Sequence, residues 1–194
     1  MYLDWKERKA DVYSVDIETD DLNATKVHVL CWRNIKTGET GECTSVESIQ
    51  EFFNNTSGSV YVGHNFLKFD GPTLNRLCGT DLGPHNIIDT LVLSTLYSPS
   101  LEGGHSLDSW GERIGEPKIH FNDWSRLTPE MVAYCHQDVL VTAKLFVKLI
   151  KTMERIGFLS GGRRSIRTIC WWMGWASAAA LWICWLRWAS RSST

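Results

Sequence analysis

The sequence has no C-x-x-C pair, no cysteine and histidine spacing of the zinc-ligating kind, and no strongly basic balance, and each absence closes off a class of protein. Its six cysteines stand singly at 31, 43, 78, 135, 170 and 184, the usage of a reduced, cytosolic chain rather than of a disulfide scaffold or a zinc module. The formal net charge is -2, and residues 1 to 154 alone carry 14 basic against 22 acidic groups, a net of -8. A sequence-reading nucleic-acid module is normally basic, so this balance argues against one. It leaves open an enzyme whose acids hold cations. The start, Met1 to Lys6, lacks the apolar run of a secretory signal, and a cytoplasmic location is the expectation.

What is there is enough for a globular chain: 194 residues, 43% of them hydrophobic, suffice for one cored domain with an appendage. The stretch Ser14 to Asp20 organises the rest. At period two, Val12, Ser14, Asp16 and Glu18 share one face and Tyr13, Val15 and Ile17 the other, so one face reads as core and the other ends in two carboxylates. Two like charges at a strand end are costly unless a cation sits between them, and a divalent metal is the natural partner. The bland alternative is a solvated strand end running into the turn Asp20-Asp21.

Alternation predicts further strands over Val27 to Trp32 and near Thr40 to Thr44, an antiparallel meander with a hairpin turn at Asn34 to Glu39. Ser45 reads as the N-cap of a helix carrying Ile49, Phe52 and Phe53, and Ser59 to Gly63 as a compact strand. His64 to Pro72 leads into a helix with Leu74 and Leu77. Ile87 to Thr90 repeats the strand-to-helix pattern, with Asp89 as N-cap. A helix is expected over His105 to Ile114, then an irregular segment with Lys118, His120 and Asp123 exposed. Thr128-Pro129-Glu130 starts the longest helix, running to about Glu154. The order β-β-β-α-β-α-β-α makes an α/β fold, a mixed sheet with helices packed on it.

Two more acids can converge on Asp16 and Glu18. Asp70 opens a helix just after a strand, and Asp138 lies among apolar residues inside the longest helix, with Tyr134 one turn away on the same face. Asp16, Glu18, Asp70 and Asp138 would bind two divalent ions, with Tyr134 reaching a water on one of them, an arrangement suited to phosphoryl transfer. Singly, each has a bland account: Asp70 as an N-cap, Asp138 as a solvated helix position.

The segments SVDIETD, HNFLKFD and YCHQD resemble the three motifs of the DEDD superfamily of 3′-to-5′ exonucleases, in its tyrosine subgroup. With IDTLVLSTL, HSLDSWGERIGEPK and DWSRLTPEMVAYCHQDVLVTAKLF, residues 10 to 154 are similar to the N-terminal proofreading domain of family A DNA polymerases from short-tailed phages. The resemblance implies a ribonuclease-H-like fold and two Mg2+ or Mn2+ ions. Asp16, Glu18 and Asp138 would hold one ion, Asp16 would bridge to the second, and Asp70 would serve that second ion through its water shell. Tyr134 would orient the attacking water. Thr19 and Asn65 would meet the terminal nucleotide, with His64, Phe69, His105 and Lys118 as further candidates. The bland readings are a packing or capping His105 and core roles for Phe66 and Phe69. The implied substrate is a single-stranded DNA 3′ end, with RNA trimming or an inactive fragment as alternatives.

After Arg155 the composition changes: no acid, lysine, histidine or proline follows, yet six of the ten tryptophans do. The domain is read as residues 1 to 156 and residues 157 to 194 as an aberrant, possible frameshift tail. Thr168 to Leu186 also meets the length rule for a membrane span, about 19 residues, so membrane contact is the second reading. Nothing after residue 154 is long enough for a polymerase domain, which would be encoded separately.

Overall fold

The structure, a computed structural model, describes residues 10–117 and 119–155. The expected tail at 157 to 194, the membrane reading placed on it, and Lys118 lie outside the described residues. Among those described, no helix is long and apolar enough to cross a membrane.

The chain runs β1 (Val12–Thr19), β2 (Val27–Asn34), β3 (Thr40–Cys43), α1 (Val46–Asn55), β4 (Val60–Gly63), α2 (Asp70–Cys78), β5 (Ile87–Asp89), α3 (Thr90–Tyr97), α4 (Leu107–Ile114) and α5 (Pro129–Arg155). This is the expected order. The sheet reads β3-β2-β1-β4-β5, with β1, β2 and β3 an antiparallel meander and β4 and β5 parallel to β1.

Local chemistry sets the boundaries. Ser45 caps α1 in a reciprocal box with Ser48, and Thr128 Oγ1 accepts the Met131 N–H at the head of α5. The helix expected from His105 begins two residues later because Ser106 is its cap, accepting the Ser109 N–H. Asp89 caps α3 as its position suggests, accepting the Leu91 N–H. Asp70 is the first residue of α2 rather than its cap.

The bland reading of the acid-bearing end of β1 as a solvated strand end fails, because helices cover both sides of the sheet. Val15 and Ile17 join Leu30, Ile49, Phe52, Phe66 and Leu74 under α1 and α2. Val12 packs with Val62, Leu93, Trp110, Leu145 and Phe146 under α3, α4 and α5. Each such fully buried aliphatic or aromatic side chain contributes roughly 1.5–3 kcal/mol. A period-two pattern cannot distinguish a helix-covered face from a wet one when its residues are small or acidic.

Candidate active site

β1, β4 and β5 are parallel, so their C-terminal ends lie at one edge of the sheet, where open α/β folds place their chemistry. β1 pairs with β4 only over Val12 to Ser14. Beyond that the strands part, and the carboxyl of Asp70 faces the N–H of Ile17, which favours its charged form. Asp70 thus reaches the stretch of β1 that lies between Asp16 and Glu18.

From the other face α5 crosses β1. Ser14 Oγ donates to the Val139 carbonyl at 3.0 Å, and Cys135 Sγ lies 3.5 Å from the Asp16 carbonyl and 3.8 Å from Asp16 Oδ2. These contacts set Asp138, between Cys135 and Val139 on α5, against the strand. The bland reading of Asp138 as a solvated position fails: it is 5% exposed. Ligand-type atoms of Asp16, Glu18 and Cys135 come within 4.8 Å of one another, and Asp70 and Asp138 lie outside that tight set.

Asp70 and Asp89 are buried too. Burying an ion costs several kcal/mol, more than one apolar side chain returns, so Glu18, Asp70, Asp89 and Asp138 are poor devices for stability alone. Burial, reinforced by the neighbouring charge of Asp89, pushes the Asp70 carboxyl up to about 7. Burial also raises the Asp89 carboxyl, although the N–H groups of Leu67, Leu91 and Asn65 pull it back. The Cys135 thiol is driven well above its ordinary value, first by burial and then by Cys31 and the charges of Asp16 and Glu18. It stays protonated at neutral pH.

The remaining sequence-derived candidates divide. Thr19 is buried at the end of β1, past an irregularity in the pairing at Glu18 and Thr19, and donates its hydroxyl to the Asp21 carbonyl at 2.9 Å. Asn65 has φ 61°, the left-handed region that few non-glycine residues adopt, and its N–H is held by Asp89. His64 Nδ1 meets Thr90 Oγ1 at 2.9 Å, and that hydroxyl also reaches the Gly63 carbonyl. Gly63 admits no side chain, since a Cβ there would sit 2.3 Å from Phe66. Phe66 is fully buried core, and Phe69 is half-buried at the entry to α2. His105 sits elsewhere: its Nδ1 meets Ser94 Oγ at 2.7 Å, the same hydroxyl that accepts the Trp110 indole N–H. Tyr134 is half-buried on α5, packed against Phe121 and Trp124.

Sequence reasoning missed two features here. Cys135 joins the carboxylates, which no cysteine spacing signals. Leu22, 86% exposed, rises from a turn just past Thr19 that Asp20 ties down by accepting the N–H groups of Thr25 and Lys26 at 2.8 and 3.0 Å. The acids of the sheet edge do not share a place with the cleft of about 560 Å³ lined by Asn54, Ser59, Tyr61, His85 and Asn86, which lies toward the opposite ends of β4 and β5.

A five-stranded mixed sheet in this order, covered by helices and gathering its acids where β1 and β4 part, is the ribonuclease-H-like fold. Residues 4–154 match the 3′-5′ exonuclease family of DNA polymerase A type, and the chain belongs to that family. It is 31% identical to the DNA-directed DNA polymerase of Escherichia phage T7, over 48% of this chain and 19% of the relative, so it spans about a fifth of that polymerase's length. In fold it is similar to Brucella melitensis NrnC with bound Mg2+, at 19% identity and TM-score 0.67, covering 97% of this chain and 90% of that one. It is similar as well to the catalytic core of RRP6 from Trypanosoma brucei, at 18% identity and TM-score 0.60, over 83% and 46% of the two chains. The chain therefore carries a 3′-5′ exonuclease domain, a nuclease of the hydrolase class.

Proposed function

We propose that this domain, residues 1 to 156, removes nucleoside monophosphates from the 3′ end of single-stranded DNA, using two divalent cations, Mg2+ or Mn2+. The observation that carries the reading is the convergence of Asp16 and Glu18 at the end of β1 with Asp70, whose carboxyl faces the Ile17 N–H between them. The donor set fits the group: hard carboxylate oxygens, half-buried at Asp16 and buried at Glu18, Asp70 and Asp138, and mutually repulsive without a cation. Asp16, Glu18 and Asp138 would hold one ion, and Asp16 and Asp70 the other. Bound there, the cations supply charge that stabilises attacking and leaving oxygens and acidifies a coordinated water.

The chain's own residues do the rest. Tyr134, one turn before Asp138, orients the attacking water through its phenol. Thr19 and Asn65 flank the acids and meet the terminal nucleotide, and His64 and Phe69 line the approach from the loop before α2. His105 is engaged with Ser94. Leu22 offers an apolar surface to the face of a base. DNA as substrate and a polymerase domain as partner are supported by the likeness to the phage T7 polymerase.

The reading is tested by mononucleotide release from single-stranded DNA and from RNA of equal length, in Mg2+, for the parent and for Asp16→Asn. Loss in the variant with an unchanged fold supports it, and full retention overturns it. Faster release from RNA would move the substrate without moving the site.

A further inference from the structure

The segment between α4 and α5 reads from sequence as irregular, yet it carries an aromatic device. The ring of Trp124 meets that of Tyr134 edge-on, centroids 5.6 Å apart at 82°, and Phe121 lies 5.8 Å from Tyr134 at 36°. Phe121 and Trp124 are themselves edge-to-face at 4.9 Å. Both pack on the buried cluster of Val29, Met131, Cys135 and Val139, so they are fixed to β2 and α5 together.

A polar contact locks the arrangement. The Trp124 carbonyl lies 3.1 Å from Nε2 of His28, a ring 3% exposed on β2. A carbonyl only accepts, so Nε2 carries the proton and donates it. His28 stands where the pairing of β1 with β2 skips a residue, between Val29, opposite Glu18, and Val27, opposite Thr19. The segment is therefore anchored to the strand beside the acids.

We infer that Phe121 and Trp124, tethered by His28, are positioning residues that select the side-chain conformation of Tyr134 and so fix where its phenol stands relative to the acids. A tyrosine on a helix has two favoured χ1 wells, and changing well swings the hydroxyl by several ångströms. Two rings at van der Waals distance on the outer side of Tyr134 remove that choice. Misplacing a reacting group by about 1 Å can cost about 100-fold in rate. The inference rests on the proposed role of Tyr134 in orienting water.

The experiment is a double-mutant cycle on the full chain, with Trp124→Ala and Tyr134→Phe made singly and together and turnover measured on single-stranded DNA in Mg2+. Trp124→Ala is expected to lower kcat about 10- to 100-fold with KM nearly unchanged, and Trp124→Phe to restore most of it. In the Tyr134→Phe background the same truncation should cost no more than about twofold, because the phenol it positions is gone. Phe121→Leu, which keeps an apolar side chain on the same cluster, runs through the same cycle, so that poor folding of Trp124→Ala leaves the question decidable. Equal losses in both backgrounds would overturn the clamp and leave Tyr134 in its role. A Tyr134→Phe enzyme with full turnover would overturn the role of Tyr134, and the clamp with it.

Discussion

Asp89 holds Asn65 in its left-handed conformation: the carboxylate at the end of β5 accepts the Asn65 N–H at 2.9 Å and the Leu67 N–H at 3.1 Å, while also capping α3 through Leu91. One buried acid therefore ties together the ends of β4 and β5 and sets the course of the loop that delivers Asp70. Asp89→Ala should destabilise by about 3–5 kcal/mol, the cost of leaving several buried N–H groups without their charged acceptor. Urea denaturation measures it. Asp89→Asn, which keeps one carbonyl acceptor, should lose less than the alanine variant.

Asp16→Asn and Asp138→Ala should each abolish release of mononucleotides. For Asp16→Asn, metal-free stability should rise by about 1 kcal/mol, because a charge within 4.8 Å of Glu18 is gone. Thermal unfolding in EDTA, set beside the activity assay, checks both. A variant that is dead and unfolded would instead assign Asp16 a structural role.

The Asp70 carboxyl, raised by burial to about 7 in the folded state against an ordinary 3.8, binds its proton more tightly folded than unfolded. Its contribution to metal-free stability is therefore greatest below about pH 4 and is lost as pH rises to about 7. Denaturation midpoints of the EDTA-treated protein should fall across that window, and Asp70→Asn should flatten the slope. Divalent cations, which favour the carboxylate, should bind more tightly as pH rises through it, and titration calorimetry in two buffers should register the proton released.

Leu22 is exposed, so Leu22→Ala should change stability by less than about 0.5 kcal/mol. Covering it with a base is worth about 1 kcal/mol, and KM for single-stranded DNA should rise about fivefold. An unchanged KM would remove Leu22 from the substrate path.

Much of this arrangement is legible in the chain itself. Alternation in Val12 to Glu18, the caps Ser45 and Asp89, and the Thr128-Pro129-Glu130 start are local signals, and the elements they predict form within a residue or two. The acids were legible too, since an ionisable residue among apolar ones on a helix or strand needs a reason. What local pattern cannot carry is reach. Asp89 is readable as a cap for Leu91 two residues on, but not as an acceptor for Asn65, 24 residues back. Likewise Cys135 joins Asp16 only because α5 crosses β1 from 119 positions away, and Trp124 finds His28 across 96. Which helix covers the acid-bearing face of β1 is out of local reach for the same reason: α5 is distant in sequence.

The parting of β1 from β4 after Ser14 gives the sheet an internal fork. A strand that is central at one end behaves as an edge at the other, and its Ile17 amide faces a titratable side chain rather than a neighbouring strand. Hydrogen exchange at that amide would thus register the charge and engagement of Asp70 directly, a reporter built into the backbone beside the acids it reports on.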